Sequence, residues 1–359
     1  MKTVSIKTLA ALLLFVFLLS LRFKLYRDRQ HSLQLHKSDH ELPEDLLKTS
    51  RTSTEDKKVT EGNKLELTDI TEIYEERRKY VGEMCRKHRE GIEERYRSRW
   101  PDRTWETFLG KADILEKTDQ GFLWCKVPKA ASESWTSLFI KRWFRSKSNL
   151  LMWKQQVYLH SRWQPKYKTA KYMNKISKTH FNFVTVRHPF ERILSAYRDK
   201  FFLNGNAKYE HEKVERWYKN HGEAILKKYR KEEPREKKYL KAPTFREFVE
   251  YLVELPLAKF DDHWKPMYMQ CLPCHIQYHV IARLESLERD SAYILQSIGV
   301  TSRLPVSHTT QGNSSNNLVT SYYSQIDSNL LDKLYSLYKY DFLLFNFTHT
   351  HYAEIVKES

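Results

Sequence analysis

Short apolar runs alternate with amphipathic stretches along this chain. Gly121 to Val127 (GFLWCKV) is nearly continuous in apolar residues, β-prone and closed by Pro128, which predicts a buried strand. Ser134 then precedes WTSLFIKRWF, an apolar pattern at helical spacing, and is placed to cap that helix. Phe181 to Val186 (FNFVTV) predicts a second strand. Pro189 suits the first turn of a helix running through ERILSAYRDKFF. Thr244-Phe-Arg-Glu247 reads as a capping box opening FREFVEYLVEL. Gln277 to Ala282 (QYHVIA) predicts another strand, Leu287 to Ile298 a helix ended by Gly299, and residues 329–345 a last helix. A charged helical stretch begins near Tyr74, and residues 203–241, dense in Lys, Arg, Glu and Tyr, read as a solvated helical insertion. Strands alternating with helices predict an α/β fold with a parallel sheet and helices on its faces.

The N-terminal part follows a different pattern. Leu9 to Leu21 is apolar except for Ser20, short for a full span but extended by Val4 and Ile6 if Lys7 snorkels. Arg22, Phe23 and Lys24 follow it instead of a small-residue cleavage site, so the segment reads as an uncleaved anchor rather than a signal peptide. Residues 22–75 are polar, charged and weakly periodic, the composition of a flexible stem. The expected organisation is a cytosolic tail at 1–7, an anchor at 8–24, a stem at 25–75 and a lumenal domain at 76–359. Basic residues on both sides of the anchor leave its orientation open. The sequons at Asn313 and Asn346 point to a lumenal C-terminal part.

Composition narrows the partners. Among 359 residues, 62 Lys and Arg against 45 Asp and Glu give a net charge of +17, which favours polyanions through long-range attraction. Nucleic acid, anionic lipid and acidic polysaccharide all fit that charge. The anchor and the sequons disfavour nucleic acid.

Four cysteines, Cys85, Cys125, Cys271 and Cys274, are compatible with two disulfides, their pairing open. Cys271-Leu-Pro-Cys274-His275 also matches a c-type haem attachment pattern. A zinc site needs four ligands and no second Cys pair exists, so pairing in an oxidising lumen is the better reading. The chain shows no convincing metal cluster.

Two loops carry the candidate chemistry. Val127-Pro-Lys-Ala-Ala-Ser-Glu-Ser-Trp135 joins a predicted strand to a helix N-terminus, where exposed N–H groups and the helix dipole attract an anion. Lys129 adds a full charge, and Ser132 and Ser134 add hydroxyls. The Gly-x4-Gly-Lys-Ser/Thr spacing of a Walker A loop is missing, which argues against a nucleoside-triphosphate hydrolase. The second loop, Arg187-His-Pro-Phe-Glu-Arg-Ile-Leu-Ser195, has the same strand-to-helix position; Arg187 can fork onto a phosphate and Ser195 stands about two turns into the helix.

Together, VPKAASESW and RHPFERILSAYRDKF resemble the two binding motifs for PAPS (3'-phosphoadenosine 5'-phosphosulfate) of the Golgi carbohydrate sulfotransferases. The resemblance is to the HNK-1 and chondroitin/dermatan/GalNAc 4-sulfotransferase family. Asp262-His-Trp-Lys-Pro266, Cys271 to Cys274, Ile281 to Asp290 and Tyr338 to Asn346 are also similar, so the likeness spans roughly residues 80–348.

The resemblance implies a P-loop-like sulfotransferase fold and a Golgi-membrane, single-pass type II protein with a lumenal catalytic domain. It implies PAPS as cosubstrate without a metal, and an acidic glycan as acceptor. Pro128, Lys129, Ala130, Ala131, Ser132 and Ser134 are expected around the 5'-phosphosulfate, with Lys129 catalytic. Arg187, His188, Pro189, Phe190, Arg192 and Ser195 are expected around the 3'-phosphate. Trp135 stands either near the adenine or in the core. Glu133 replaces a small polar residue of the family and has to point away from the polyanion. His263 is the expected base, oriented by Asp261 or Asp262, with Trp264 as a stacking face for a sugar and His188 and Glu191 as rivals. A tyrosine or small-alcohol acceptor, and a non-catalytic polyanion-binding role, are the alternatives.

Overall fold

The computed structural model describes residues 56–99, 113–167, 169–202, 208–232, 242–305 and 313–357. They divide into two compact units, one ending at Leu65 and one spanning Glu66–Ser359. Of the described residues, the first unit holds only the start of helix α1 (Asp56–Lys87); the second holds the sheet and every later helix.

In chain order, α1 is followed by α2 (Arg89–Arg99), strands β1 (Ile114–Lys117) and β2 (Phe122–Cys125), and helices α3 (Ser132–Trp143), α4 (Met152–Arg162) and α5 (Ala170–Thr179). Strand β3 (Phe181–Val186) leads into α6 (Pro189–Phe201), then α7 (Lys208–Trp217), a π turn (Tyr218–Gly222) and α8 (Glu223–Tyr229). After α9 (Phe245–Glu254) and the short α10 (Met267–Cys271) comes β4 (Val280–Arg283). Helices α11 (Leu287–Ser297), α12 (Asn313–Tyr323), α13 (Ser328–Phe345) and α14 (Thr350–Lys357) complete it.

The sheet has the order β1-β2-β3-β4. β2, β3 and β4 run parallel, with Cys125 opposite Val184 and Val186 opposite Arg283. β1 runs antiparallel to β2, so the sheet is mixed, not wholly parallel as expected. The reason is local: Thr118–Gln120 and Gly121, at φ 64°, leave no room for the crossover a parallel pair requires. ILEK is too short to stand out as a strand in the sequence.

Side-chain alternation explains why helices cover both faces. Phe122, Trp124, Phe183, Val280 and Ala282 pack with α3, α4, α11 and Tyr74 of α1. Leu123, Cys125, Val184, Val186 and Ile281 pack with α2, α5, α10 and the end of α13. A third cluster joins α6, α8, α9, α13 and α14 beyond the sheet. Tyr197, Phe248 and Trp264 are fully buried in it.

Several local signals act as expected. Pro189 opens α6, the Thr244–Glu247 capping box opens α9, and Gly299 at φ 69° follows α11. Other expectations need correction. Ala131, not Ser134, is the N-cap of α3. β4 covers 280–283, not 277–282. Helix α1 begins at Asp56, within the segment 25–75 expected as the stem. The 203–241 segment is not simply solvated, because Lys213 and Ile225 are buried.

The cysteines pair as Cys85–Cys274 and Cys125–Cys271, which excludes the haem-attachment pattern. The first disulfide ties α1 to the loop after α10, and the second ties the end of β2 to α10. Among the described residues no helix is long and apolar enough to cross a membrane; the apolar segment 9–21 and the expected anchor at 8–24 lie outside them.

Candidate active site

The two candidate loops leave neighbouring parallel strands at the same sheet edge, where β2 and β3 both end. In the first, Lys129 and Ala131 both adopt left-handed backbone, at φ 69° and 58°. L-residues enter this region at a cost and hold it where the surroundings impose it, often at ligand-binding loops. Successive left- and right-handed residues turn N–H groups into a concave nest for anions. Ala131 offers no side-chain cap to α3, whose first-turn N–H groups have no intrahelical acceptor. Ser132 and Ser134 stand on that turn, both buried.

Arg187 links the loops. Its Nη1 donates to the Lys129 carbonyl at 3.3 Å, while Nε and Nη2 reach Glu191 Oε2 at 3.4 Å each. Ser195 is partly exposed on α6, and Asp199 follows it one turn on. Lys129 Nζ and Lys200 Nζ lie 3.3 and 3.0 Å from Asp199 Oδ2, and Lys213 Nζ lies 3.0 Å from Oδ1. Burial alone would raise the Asp199 carboxyl, but Lys129, Lys200 and Lys213 hold it far below the usual carboxylate range. Lys200 rests over the Trp217 ring, 4.8 Å from its centroid, and burial lowers its pKa against the pull of Asp199.

His263 stands beside this cluster. Its Nδ1 lies 2.6 Å from Asp261 Oδ1, which also accepts the His263 backbone N–H at 2.9 Å. With Nδ1 as the donor to the carboxylate, Nε2 keeps a lone pair. Burial, joined by the charges of Lys200 and Lys129, lowers the imidazole to about 4 despite Asp261. Burial raises Asp261, but its bond to His263 prevails and holds it at about 2. The Trp217 ring meets His263 edge-on at 5.3 Å. Helix α13 fixes this segment: Tyr338 donates to the Trp264 carbonyl at 2.5 Å, and Asp341 accepts the Met267 and Tyr268 N–H groups at 2.8 Å each.

Other candidates belong to the framework. Arg192 is fully buried and donates to the carbonyls of Pro128, Asp262 and Lys265 and to Gln270 Oε1, at 2.8 to 3.2 Å. It joins the first loop to the His263 segment from behind, so its guanidinium does not line the site. Phe190 is fully buried against Tyr323, Phe342 and Tyr352. The His188 ring stacks on Tyr352 at 4.9 Å and its Nε2 donates to the Thr348 carbonyl at 2.8 Å, with Nδ1 buried without a partner. Burial lowers the His188 pKa.

Trp135 is core, its Nε1 donating to Thr185 Oγ1 at 3.1 Å. Trp264 is fully buried against Trp217, His221 and Phe248, so it offers no face to a sugar. Glu133 acts on Lys126, whose Nζ reaches Gln156 Oε1 at 3.4 Å and whose pKa burial lowers. Asn346 is an exposed left-handed cap after α13, and Asn313 opens α12.

Sequence reasoning missed Asp199, Lys200, Lys213 and Trp217. One signal was present: Asp199 lies four residues after Ser195 on one helix, hence on its face. Lys213 and Trp217 carried none, because only the fold returns α7 to α6.

The sulfotransferase family profile matches residues 113–348 of this chain. Carbohydrate sulfotransferase 11 of Mus musculus is 28% identical over 300 residues, covering 81% of this chain and 80% of that protein. Carbohydrate sulfotransferase 14 of Danio rerio is 31% identical over 240 residues, 65% of this chain and 62% of that protein. Carbohydrate sulfotransferase 10 of Xenopus laevis is 34% identical over 180 residues, 47% of this chain and 48% of that protein. No solved structure matches the chain.

Proposed function

The chain belongs to the sulfotransferase family, and from that premise we propose that it transfers a sulfuryl group from PAPS to a glycan hydroxyl. The observation that carries this reading is the joining of two strand-end anion loops by Arg187, beside a histidine–carboxylate pair. The left-handed Lys129 and Ala131, the uncapped start of α3 and the hydroxyls of Ser132 and Ser134 suit the 5'-phosphosulfate. Arg187 and Ser195 suit the 3'-phosphate, and Pro128, Ala130, His188 and Pro189 shape the two loops.

Transfer by in-line displacement, argued by analogy with phosphoryl transfer, asks the protein chiefly to position groups and neutralise charge. Lys129 stabilises charge on the leaving phosphate oxygen. His263 takes the acceptor proton at Nε2 while Asp261 holds the ring and stabilises the imidazolium. A pKa of about 4 makes His263 a weak base, because burial and the charges of Lys200 and Lys129 together disfavour the imidazolium. A bound polyanion offsets those charges and raises the imidazole pKa.

The relatives' names support a carbohydrate acceptor, of the chondroitin/dermatan or terminal GalNAc/GlcA type in this reading. The proposed setting is the Golgi membrane, single-pass type II, anchored at 8–24 and glycosylated at Asn313 and Asn346; the exposure of Asn346 supports the latter.

Calorimetry with PAP (3'-phosphoadenosine 5'-phosphate), joined to transfer from labelled PAPS onto chondroitin, dermatan, heparan and terminal-GalNAc acceptors, tests the function. PAP binding with transfer to at least one glycan is expected. Transfer only to tyrosine peptides or small alcohols would move the acceptor class, and absence of PAP binding would overturn the reading.

A further inference from the structure

Between Glu133 and Glu191 the chain carries twelve Lys and Arg and neither Asp nor Glu. This stretch supplies most of the net +17. The exposed large apolar side chains of the described residues also fall within it: Leu150, Leu151, Trp153, Val157 and Tyr167. Cations lie over the rings: Lys154 Nζ is 5.4 Å from the Trp153 centroid, and Lys166 Nζ is 5.2 Å from that of Tyr167. Arg162 stands 5.7 Å from Tyr158, on the same helix.

Exposed rings beside cations form a surface that suits a partner using both features. A sugar ring presents C–H faces to an aromatic plane and carboxylate or sulfate groups to the cations. A lipid surface instead favours an unbroken apolar face, and exposed Lys154, His160 and Ser161 interrupt this one. The surface adjoins the transfer site. Gln156 of α4 accepts from Lys126, which precedes Pro128 in the first loop, and α4 packs on α3, the helix that begins at that loop.

We propose that α4 and the turn after it form a track for an acidic glycan chain extending from the hydroxyl being sulfated. The track rests on the proposed glycan acceptor and adds where the remainder of a polymeric acceptor lies. Recognition there is additive over exposed charges and falls as salt rises.

Two variants test it: Trp153→Ala, and Lys154→Glu combined with Arg162→Glu and Lys166→Glu. The measurements are salt elution from immobilised chondroitin sulfate, KM for long chondroitin and for a tetrasaccharide, and PAP affinity. The charge variant should elute at lower salt, with KM for the long chain raised about tenfold, the sum of several exposed charge contacts. The tetrasaccharide KM and the PAP affinity should stay at wild-type values, and Trp153→Ala should show a smaller shift in the same direction. Wild-type elution and KM in both variants would overturn the track. So would loss of binding to phosphatidylserine vesicles with chondroitin binding unchanged, which would make this a membrane-facing surface. Chondroitin binding that is lost in the variants, in a protein that transfers to no glycan, would support the track and overturn the function.

Discussion

Lys129 Nζ lies 3.3 Å from Asp199 Oδ2, an ion pair between the loop after β2 and the last turn of α6. Asp199 thereby fixes a lysine that the sequence marks as central, and gathers Lys200 and Lys213 around the same carboxylate.

Asp199→Asn should separate positioning from binding. Losing the shared acceptor lets Lys129 and Lys200 move apart, and misplacement of this kind lowers turnover by up to about a hundredfold. Removing a carboxylate beside a polyanion site should at the same time tighten PAP binding. Initial rates with PAP calorimetry check both. Weaker PAP binding at unchanged turnover would contradict the assignment of Asp199.

Arg187 and Lys129 should have distinct effects. Arg187→Ala removes the charge-assisted contact proposed to the 3'-phosphate, so PAP affinity should fall about ten- to a hundredfold. Arg187→Lys should recover only part of it, because lysine keeps the charge but not the planar fork. Lys129→Ala should depress kcat more than PAP affinity, since its proposed contact strengthens as the leaving oxygen gains charge. Equal PAP affinity in wild type and Arg187→Ala would reassign the arginine.

His263 gives a pH signature. Its imidazole should titrate at about 4 in the empty protein and move upward when PAP binds, followed by NMR of the ring proton. Between about 6.5 and 4 the unfolded chain takes up the proton and the folded chain resists it, so stability falls as pH falls through that window. His263→Asn should flatten that slope while binding PAP normally, and should lose roughly 10²–10⁴-fold in rate. A His263→Asn enzyme of near wild-type rate would return the base role to Glu191 or His188.

The docking of α1 rests on Asp290. Its carboxylate accepts from Arg77 and Ser286 at 2.8 Å, the Arg283 N–H at 2.9 Å and Tyr74 at 3.1 Å. Burial raises this carboxyl, but the bonds from Arg77 and the Arg283 N–H prevail and lower it. Its contribution is therefore present at neutral pH and fades in acid. Asp290→Ala removes the carboxylate partner of Arg77, leaving it the Ile281 carbonyl and Ser286, and should cost about 3–5 kcal/mol in urea unfolding with the disulfides intact. A loss below about 1 kcal/mol, the usual worth of a surface pair, would show that the cluster is not structural.

Elements whose signals are local were legible in the sequence. β2, β3, α6, α9 and α13 follow from apolar period, Pro189 and the Thr244–Glu247 box, because each depends on residues within one or two turns. The nearness of Lys129 and Arg187 was legible too, through two motifs at strand ends. The tertiary structure alone decided the relations between distant segments. It withdrew Arg192, Phe190, Trp135 and Trp264 into the framework, since a motif names a residue without saying which side of the loop the chain packs against. It paired Cys85 with Cys274 and Cys125 with Cys271. It also carried Lys213 and Trp217 back to Asp199 and Lys200, a contact set by how α7 folds onto α6, which no spacing along the chain encodes.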